Sequence, residues 1–473
     1  MEHAIVLVLG DVGHSPRMNY HVLSLANRGI PVEFVGYRES KVHSKIESNE
    51  LVSIVGIPPP PAVLNSLPSI LCMVLKLLWL CTLLPLTLFF KTKFTASIIL
   101  VQNPPGVPTL LFAWIACKLK RAQLIIDWHN YSSSMIVYKY KLDNPKPKTY
   151  AKRVLKWFAD GSARWEGHFG RRATFNLCVS NMMREDLRKR WQVKAITHYD
   201  RSPAWNFQNL DTEAQHSFFL KLLDHPDFAE HLKSKDDPAD STENTIFSYR
   251  SADGKVVKRS DRPMILISST SWTEDEDFGI LLDALKRFDS APLPKRVGRS
   301  LPNLFVVITG KGPMKEYYLE RVRSIRWHHT TIITPWLAAE DYPKMLACAD
   351  LGVCLHASTS GLDLPMKVVD MLGCSVPVLA KNFPAIGELV KKDFGGLFNN
   401  ADDLNKELVD ISSGFPVDTK RLNSMKTTLR TNPRIDWEAQ WTASVWPLIQ
   451  TIAAKKIDEN RRQRRFTDNT SSN

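Results

Sequence analysis

Short apolar runs alternate with amphipathic stretches along this chain of 473 residues. Apolar runs of four to eight residues bounded by Gly, Pro, Asn or Ser are typical of buried parallel strands, and the stretches between them have the spacing of helices. Strands are expected near residues 4–9, 31–37, 51–56, in a run ending at 102, and at 123–127, 175–179, 195–199, 264–268, 351–355 and 376–380. The pattern predicts an α/β protein made of Rossmann-like domains with parallel sheets.

The length predicts two domains, because a single hydrophobic core seldom serves more than about 300 residues. A polar stretch without periodicity, rich in Asp and lying between residues 205 and 262, is expected to be a surface insertion or linker. The expected parts are an amino-terminal domain (1–204), the polar insertion (205–262), a second domain (263–430), a closing helix (431–457) and a basic disordered tail (458–473).

Residues 66–90 form a long apolar run in which Lys76 is the only charged residue. At about 1.5 Å per residue, a helix of this length would cross the roughly 30 Å of bilayer hydrocarbon. The strands predicted on either side belong to one parallel sheet, however, and a single crossing would divide that sheet between the two sides of the membrane. We therefore expect a helix in the membrane interface or a shallow re-entrant helix. A fully buried helix is the alternative.

The positive charge of the chain is concentrated in its first half. Residues 1–201 carry 27 Lys and Arg against 13 Asp and Glu, whereas the remainder is close to neutral. No acidic residue occurs between Glu50 and Asp127. A basic surface around an apolar segment is attracted to an anionic membrane. Nucleic acid is the competing partner, but no recognition helix or RNA-binding motif supports it, so we expect none.

The seven cysteines indicate a reducing compartment. They are odd in number, form no CxxC pair and lie in apolar runs. This distribution predicts reduced core residues rather than a disulfide framework or a zinc site. We therefore expect the protein to face the cytosol.

The stretch 351–380 predicts a strand, a Ser/Thr/Gly turn at 357–361, a helix and a second strand. A helix that opens from such a turn presents free N–H groups and the positive end of its dipole, which bind phosphate. Lys367 and Asp370 lie three residues apart on one face of this helix, so a cation and a carboxylate would flank one ligand. The carboxylate suits the vicinal hydroxyls of a ribose. The alternative is a solvated ion pair on an ordinary helix.

Polar residues follow three predicted strands of the first domain, at the edge where open α/β sheets bind ligands. Asp11 lies in a Gly-bounded turn (10–18) that opens a helix, with Ser15 as the expected N-cap. Two further loops begin at Gln102 and Trp128. Hydrogen bonds to sugar hydroxyls are expected from Gln102, Asn103, His129 and Asn130, and a stacking face from Trp128 or Tyr131.

The segment PMKVVDMLGCSVPVLA (365–380) resembles the P-x-K-x-x-E-x-x-x-x-G-x-P-V signature of GT-B glycosyltransferases, whose helix acid holds the donor ribose. Asp370 stands where those enzymes usually have Glu. The resemblance implies a GT-B fold, in which two Rossmann-like domains face each other across a cleft. It also implies that the closing helix returns to the first domain.

A more specific resemblance begins with GDVGHSPRMNYHVLSLANRG (10–29), which is similar to the opening of the chitobiosyldiphosphodolichol β-mannosyltransferases. His14 departs from this family, which usually has Arg there. The resemblance implies transfer of mannose from GDP-mannose to GlcNAc2-diphosphodolichol in N-glycan precursor assembly. It recurs at ILVQNPPGVP (99–108), LIIDWHNY (124–131), SSTSWTEDEDFGILLDAL (268–285), ITGKGP (308–313) and 351–380.

The resemblance also implies a donor site in the second domain. Lys311 supplies a cation where many relatives have Asp, and IITPWL (332–337) resembles the loop that reads the donor base, which places guanine near Trp336. The expected donor-binding residues are Gly310, Lys311, Gly312, Trp336, Ser360, Gly361, Leu362, Lys367 and Asp370.

The loop 269–277 lacks the Arg and Lys that often bind the donor diphosphate in the broader GT-B group. A leaving diphosphate needs fixed positive charge or a metal. The acids at 274–277 are interpreted as complementing a helix dipole, with Mg²⁺ as the alternative. We expect no protein metal site and no required cofactor.

The implied reaction is inverting, since α-linked mannose in the donor becomes β-linked in the product. A single displacement needs a base that takes the acceptor proton. Asp11 is the first candidate because it follows the first strand, and His129 is the second because its unperturbed pKa suits neutral pH. Either residue has a structural alternative, as a helix cap or as a sugar-positioning group.

Two other functions stay open. A retaining α-mannosyltransferase would share the scaffold, since Asp363 and Asp370 loosely echo the paired acids of retaining relatives. A non-catalytic membrane-docked subunit that binds nucleotide sugar is the second. The resemblance implies a location on the endoplasmic reticulum membrane, with the domains on the cytosolic face, and a complex with other transferases of N-glycan assembly.

Overall fold

The computed structural model of the chain describes residues 3–142, 149–234, 243–274, 276–291, 301–432 and 435–470, with side chains to residue 458. Most of the Asp-rich stretch and Asp275 of the acidic run therefore lie outside the described residues. The chain divides into two compact units. Unit 1 is Met1–Asp200 with Trp437–Asn473, and unit 2 is Arg201–Asp436.

Unit 1 is built on a seven-stranded parallel sheet with the order β3-β2-β1-β4-β5-β6-β7. Its central strands consist mainly of apolar residues, many of them β-branched, and are buried, as expected for a parallel sheet covered by helices on both faces. The strands are β1 (Ala4–Asp11), β2 (Val32–Tyr37), β3 (Val52–Gly56), β4 (Ile98–Asn103), β5 (Gln123–Trp128), β6 (Phe175–Cys178) and β7 (Ile196–Thr197).

Seven described helices of unit 1 lie in the connections between these strands. Pro16 begins the first helix, where its missing N–H costs nothing. Ser15 occupies the N-cap position, but its hydroxyl donates to the Asp11 carbonyl at 2.9 Å instead of capping the helix. The helices are α1 (Pro16–Ala26), α2 (Ser44–Glu47), α3 (Ser69–Leu86), α4 (Thr109–Lys120), α5 (Ser132–Lys139), α6 (Tyr150–Gly170) and α7 (Asn181–Trp191).

Helix α3 is the predicted apolar helix, and it continues through a π-helical turn at Thr87–Lys91. The most apolar 18-residue window of Ser69–Lys91 has a mean hydropathy of 2.1, and only 11% of that window is buried. By length and composition it could cross a membrane. Because β3 before it and β4 after it belong to the same sheet, the segment that contains α3 leaves that sheet and returns to it. The fully buried alternative is wrong.

Unit 2 is built on a six-stranded parallel sheet with the order β13-β12-β11-β14-β15-β16. Its core includes the fully buried Trp272, Phe278 and Phe288. The strands are β11 (Met264–Ser269), β12 (Leu304–Thr309), β13 (Thr330–Ile333), β14 (Leu351–Cys354), β15 (Val378–Lys381) and β16 (Gly395–Phe398). The helices of this sheet are α10 (Phe278–Asp289), α11 (Lys315–Arg323), α12 (Tyr342–Cys348), α13 (Met366–Gly373), α14 (Ala401–Ser412) and α15 (Lys420–Thr431).

The predicted polar insertion belongs to unit 2, and its described residues form helices and strands that its lack of periodicity did not indicate. It contains α8 (Thr212–Leu222), α9 (Ala229–Leu232) and a three-stranded antiparallel sheet of β8 (Glu243–Asn244), β9 (Ser248–Arg250) and β10 (Val256–Lys258). The Phe247 ring lies 4.6 Å from that of Phe219 and 5.3 Å from that of Phe305 on β12. These aromatic contacts pack the insertion against the six-stranded sheet. The polar, Asp-rich composition of the segment gave no indication of them.

Two closing helices, α16 (Trp437–Ser444) and α17 (Trp446–Thr470), belong to unit 1. Trp437 donates from its indole N–H to Ser24 at 2.9 Å, and Trp441 donates to His21 at 2.9 Å. Both indoles are buried against α1. The backbone of α17 is helical to Thr470, so the prediction of a disordered tail is wrong over 458–470.

We predict that Trp437→Ala lowers the free energy of unfolding of unit 1 by about 3–5 kcal/mol, the usual cost of truncating a buried indole. The ring is 1% exposed and packs on His21 and His198. Urea unfolding measures the change. The matched control is Trp157→Ala, whose ring is 73% exposed and whose loss should change stability by less than about 0.5 kcal/mol. Equal losses for the two variants would contradict the prediction.

Candidate active site

In each sheet the strand order reverses at one central strand. β1 lies between β2 and β4, and β11 lies between β12 and β14. Open α/β sheets bind ligands at the carboxyl ends of the strands beside such a switch point. The residues predicted to be functional lie at the ends of β1, β4 and β5 in unit 1 and after β12, β13 and β14 in unit 2, so each unit carries one candidate site.

The site of unit 1 is organised by a buried ion pair between Arg17 on α1 and Asp127 on β5. Arg17 Nε and Nη2 donate to the two oxygens of Asp127, each at 2.8 Å. Its Nη1 donates to the Asp200 carboxylate at 2.8 Å and to the His198 carbonyl at 2.9 Å. The side chains of Arg17 and Asp127 are 4% and 0% exposed. Such a pair is stable only when its hydrogen bonds are satisfied, as they are here.

The charges of this cluster follow from its contacts. Burial opposes ionisation of Asp127, but the Arg17 charge and the hydrogen bonds outweigh burial and hold the pKa of Asp127 well below its usual range. Burial lowers the pKa of Arg17, but the charges and hydrogen bonds of Asp127 and Asp200 outweigh burial and raise it. Burial lowers the pKa of His21, whose Nε2 lies 3.2 Å from the Asp127 carboxylate. At neutral pH the cluster therefore combines a charged Arg17, a charged Asp127 and a neutral His21.

His129 is the accessible member of this cluster. Its Nε2 lies 2.9 Å from Asp127 Oδ2, and its side chain is 23% exposed. An ionised carboxylate only accepts hydrogen bonds, so Nε2 carries a proton and the neutral ring keeps its acceptor at Nδ1. A carboxylate that fixes the tautomer of a histidine in this way is the arrangement of a general base.

Asp11 is held as a structural carboxylate. Its Oδ1 accepts from the N–H groups of Gly13, Glu39 and Ser40 at 3.2–3.3 Å. Its Oδ2 accepts from the Ser40 hydroxyl and lies 2.7 Å from His14 Nδ1. Burial raises the pKa of Asp11, but these hydrogen bonds outweigh it and lower the pKa to about 2. A carboxylate of that pKa is a weak base, and this one caps the 3₁₀ turn Val12–His14.

Three side chains expected to contact sugar are buried, so that part of the expectation is wrong. Asn103 is fully buried and donates to Glu166 at 2.9 Å. Trp128 is fully buried, and Tyr131 is 1% exposed with its hydroxyl donating to Asp186 at 2.8 Å. Helices α6 and α7 cover these residues, which the sequence alone did not indicate. Gln102 and Asn130 remain half-buried at this edge.

The site of unit 2 begins where the loops after β11 and β12 pack against each other. Gly310 has φ of +143°, a conformation that glycine adopts without strain. A Cβ on Gly310 would lie 1.8 Å from the Thr270 carbonyl, and one on Gly312 would lie 1.7 Å from the Ser271 carbonyl. Both positions therefore require glycine because two backbones meet there.

Lys311 lies between these glycines, beside Trp336. The Lys311 ammonium is 3.9 Å from the centroid of the indole ring, and Trp336 is 52% exposed. A cation in this position interacts favourably with the face of the ring. The structure thus brings together two residues predicted separately, a cation and an aromatic side chain, at the edge of the unit 2 sheet.

Lys367 on α13 pairs with Glu276 and not with Asp370. Its ammonium contacts the Glu276 carboxylate and lies 3.4 Å from Ser271 Oγ. Glu276 is 2% exposed and also accepts from the Ser271 N–H at 2.7 Å and from the Thr270 hydroxyl. The solvated pair of Lys367 with Asp370 is therefore not what the structure shows. The ammonium is fixed beside the loop that packs on Gly310 and Gly312.

Asp370 lies one turn further along α13, near Tyr342. Burial and the nearby Asp370 charge raise the pKa of the Tyr342 hydroxyl. That hydroxyl is 3.1 Å from Ser269 Oγ, the last residue of β11. Asp370, Lys367 and the loop after β11 therefore converge on one side of the unit 2 sheet.

The turn at 358–361 differs from the expected phosphate seat. The Gly361 N–H donates to the Ser358 carbonyl at 3.2 Å, and the Leu362 N–H donates to Ser360 Oγ at 3.3 Å. The Asp363 carboxylate accepts from the hydroxyls of Ser358 and Ser360.

The helix also begins later than predicted. Its first residue is Met366, after an extended Pro365. The N–H groups of the turn at 358–361 are therefore not those of the first helical turn. The prediction of a helix opening directly at 361 is wrong because proline disfavours helical conformation in the residue before it.

The described part of the acidic run has two roles. Asp277 is the N-cap of α10 and accepts from the Gly279 N–H at 3.0 Å. Glu276 neutralises Lys367, as described above. Among the residues that the structure describes, no three His, Cys, Asp or Glu lie close enough together to hold a metal ion.

Three residues of these sites went unrecognised in the sequence. Arg17 and Asp127 lie 110 residues apart, and their pairing depends on α1 crossing the end of β5. Glu276 lies in an acidic run that resembles an ordinary helix start. A signal was present only for Asp127, since a carboxylate two residues before a histidine at the end of a strand is a pattern that can orient the imidazole.

Comparison with known families supports a glycosyltransferase in both units. Residues 13–198 match the family described as "Glycosyl transferase 4-like domain". Residues 262–413 match "Glycosyl transferases group 1". The two matched segments fall in unit 1 and unit 2, respectively. The chain is therefore a glycosyltransferase by its domain content.

Solved structures show the fold. Sucrose-phosphate synthase from Thermosynechococcus elongatus aligns with a TM-score of 0.57 at 13% identity, covering 98% of this chain and 99% of that one. HepE from Anabaena, in complex with UDP and glucose, aligns with a TM-score of 0.57 at 13% identity, covering 94% and 98%. At this identity the likeness concerns the fold alone, and it confirms the GT-B prediction.

Curated relatives match almost the whole chain. The human "Chitobiosyldiphosphodolichol beta-mannosyltransferase" is 41% identical over 457 residues, covering 94% of this chain and 92% of that protein. The Dictyostelium discoideum protein of the same name is 36% identical, covering 93% and 92%. "UDP-glycosyltransferase TURAN" of Arabidopsis thaliana is 37% identical, covering 96% and 98%. This chain belongs to the chitobiosyldiphosphodolichol beta-mannosyltransferase family.

Proposed function

We propose that the protein transfers mannose from GDP-mannose to GlcNAc2-diphosphodolichol, forming a β-1,4 linkage with inversion at the anomeric carbon. The observation that carries this proposal is the similarity to relatives of that name over 94% of the chain, at up to 41% identity. The donor is assigned to unit 2 and the activation of the acceptor hydroxyl to unit 1.

The base is assigned to His129, with Asp127 as the residue that positions it. In an inverting displacement the acceptor hydroxyl loses its proton as it attacks the anomeric carbon from the face opposite to the nucleotide. Neutral His129 takes this proton at Nδ1, while its Nε2–H stays bonded to Asp127. The carboxylate then stabilises the imidazolium that forms. Gln102 and Asn130, both half-buried at this edge, are assigned to hydrogen bonds with sugar hydroxyls.

Asp11 is ranked second as the base because of its lowered pKa and its hydrogen bonds to residues 39–40. Its proposed role is to hold the loop after β1 in place. This ranking reverses the order favoured by the sequence, where position after the first strand was the only guide.

The donor diphosphate is assigned to the cations of unit 2. Lys311 supplies positive charge, the Lys367 ammonium donates hydrogen bonds while Glu276 balances its charge, and the loop at Gly310 and Gly312 lets a backbone approach the phosphates closely. Asp370 is assigned to the ribose hydroxyls and Trp336 to the guanine. The remaining candidates are the N–H groups of Ser360, Gly361 and Leu362, two of which would have to leave their weak bonds within the turn.

The proposed reaction requires no cofactor. As GDP leaves, negative charge grows on the bridging oxygen, and fixed ammonium groups stabilise it without a metal. Mg²⁺ remains an alternative route to the same stabilisation. Turnover of the purified protein in excess EDTA distinguishes the two.

The dolichol-linked acceptor places the protein at a membrane, and α3 is its proposed contact. The helix exposes Leu71, Val74 and Leu78, and the π-helical turn after it exposes Phe90. An apolar helix that is not covered by the rest of its own unit suits the membrane interface. We assign the protein to the cytosolic face of the endoplasmic reticulum, in complex with other transferases of N-glycan assembly.

The proposal is tested by incubating the purified full chain with GDP-mannose and a chitobiosyl diphosphate lipid. The expected product is one hexose heavier than the acceptor, and β-mannosidase removes that hexose. A product resistant to β-mannosidase and sensitive to α-mannosidase would show a retaining enzyme. No product would support a non-catalytic subunit, and a product formed only with UDP-glucose would overturn the assignment of the donor.

We predict that His129→Gln lowers kcat by about 10²–10⁴-fold, the usual contribution of a general base. The affinity for GDP, measured by calorimetry, should not change, because His129 belongs to unit 1. Asp11→Asn is the comparison: it should retain most of the turnover and lower the melting temperature. The opposite result, with loss of turnover in Asp11→Asn alone, would return the base to Asp11.

We predict that Lys367→Met weakens GDP binding by about 10–150-fold, since a hydrogen bond to a charged group contributes about 1.5–3 kcal/mol. This variant leaves Glu276 buried without its cation. The double variant Lys367→Met/Glu276→Gln removes that charge, so its GDP affinity reports the loss of the ammonium alone. Lys344→Met on α12, 46% exposed, is the matched control. Unchanged GDP affinity in the double variant would contradict the assignment.

A further inference from the structure

Helices α5 and α6 expose large apolar and aromatic side chains on unit 1. Tyr150 and Trp157 on α6 are 74% and 73% exposed, and Met135 and Tyr138 on α5 are 47% and 44% exposed. These four side chains define what is called here the α5–α6 surface. Trp157 contrasts with Trp128, Trp437 and Trp441, which are fully buried.

The exposed residues share a face on each helix. Tyr150 and Trp157 are seven residues apart, which is close to two helical turns. Met135 and Tyr138 are three residues apart, so they are neighbours on α5. The two helices pack against each other. Each helix therefore exposes two large apolar or aromatic side chains on one face.

The charge around these side chains is mainly positive. Over the described residues 132–142 and 149–157 there are five cations and no acid. The first acid after them is Asp160, which pairs with Lys156 at 3.0 Å. Aromatic rings among cations are typical of helices that lie in a membrane interface. The cations are Lys139, Lys141, Lys152, Arg153 and Lys156.

The α5–α6 surface adjoins the apolar helix α3, which packs on α6. Burial raises the pKa of the Tyr140 hydroxyl at the end of α5, and nearby Cys72 and Lys76 on α3 also act on it. The amino-terminal half of α3, where Leu71 and Val74 are exposed, is therefore next to the end of α5.

We propose that the α5–α6 surface is a second membrane-contacting element, which places Trp157 and Tyr150 in the headgroup layer of an anionic bilayer beside α3. The inference deepens the membrane role given to α3 under the proposed function and rests on it. A protein partner fits less well, because the centres of protein interfaces are depleted of charged residues and Lys is disfavoured there. Anionic headgroups attract the five cations, of which Lys156 also pairs with Asp160, while the rings pack among the headgroups.

The test is sedimentation of the full chain with vesicles of phosphatidylcholine, with and without 30% phosphatidylserine. Each cation near an anionic surface strengthens binding about fivefold, so Lys152→Gln/Arg153→Gln should weaken binding to the anionic vesicles about 25-fold at low salt. The charge-matched control is Lys406→Gln/Lys420→Gln, at exposed positions of unit 2. It should change binding by less than about twofold.

The aromatic contribution is tested with Tyr150→Ala/Trp157→Ala. We expect this variant to bind at least about tenfold more weakly to both kinds of vesicle, since two large rings no longer leave water. Tyr317→Ala, a 52% exposed tyrosine of unit 2, is the control. Binding of the double variant within twofold of the unaltered protein would overturn the proposal.

The position of Trp157 is tested separately with vesicles whose acyl chains carry bromine, which quenches nearby indoles. Trp157→Phe keeps an aromatic ring and most of the binding, so the quenched share of the fluorescence should fall. Equal quenching with and without Trp157 would overturn the proposal. So would a dimer in solution that Trp157→Ala dissociates, because the surface would then bind a second copy.

These measurements are independent of the reaction. Vesicle binding requires neither GDP-mannose nor turnover, and Tyr150 and Trp157 are not among the residues assigned to either substrate. If the transfer assay gives no product while vesicle binding depends on Trp157, only the proposed reaction fails. If transfer to a detergent-solubilised acceptor is normal in Tyr150→Ala/Trp157→Ala and vesicle binding is unchanged, only the membrane inference fails.

Discussion

The buried pair of Arg17 and Asp127 is the interaction on which the candidate site of unit 1 depends. Removing two charges from water is costly, and breaking such a pair leaves one charge unpaired at a cost of about 3–5 kcal/mol. Here the guanidinium makes four hydrogen bonds to three residues, which together fix α1, the end of β5 and the segment after β7. Because Asp127 stays ionised, His129 keeps one tautomer, and the geometry of the proposed base follows from the pair.

The candidate site of unit 2 depends on two lysines and their contacts. Lys367 is neutralised by the buried Glu276, so the ammonium is fixed in place without a ligand. The exposed Lys311 rests on the Trp336 ring. Fixed charges need no reorganisation when negative charge develops on a leaving diphosphate, which is the advantage of preorganised electrostatics. The loops that carry Lys311 and the Lys367 partners Ser271 and Glu276 pack against each other at Gly310 and Gly312.

For the apolar segment, hydropathy allows a membrane crossing that the topology of the sheet excludes. Ser69–Lys91 satisfies the length and composition of a membrane span. Its flanking strands pair within one sheet, however, and a sheet cannot be divided by a bilayer because its backbone hydrogen bonds would be lost. The same helix is little covered by protein. An exposed apolar helix on a basic unit is what the proposed contact with a membrane interface requires.

The sequence by itself indicated most strands of the two parallel sheets, the apolar helix and the glycines at 310 and 312, because strand runs, hydropathy and turn chemistry are local properties of the chain; it did not indicate β13 and β16. It also determined the family, since the matching motifs keep their order along the chain. The tertiary structure alone decided that Arg17 meets Asp127, that Glu276 neutralises Lys367, and that Asn103, Trp128 and Tyr131 are buried. Those facts depend on which elements cross in space, and residues far apart in sequence carry no local signal of the partner that burial will give them.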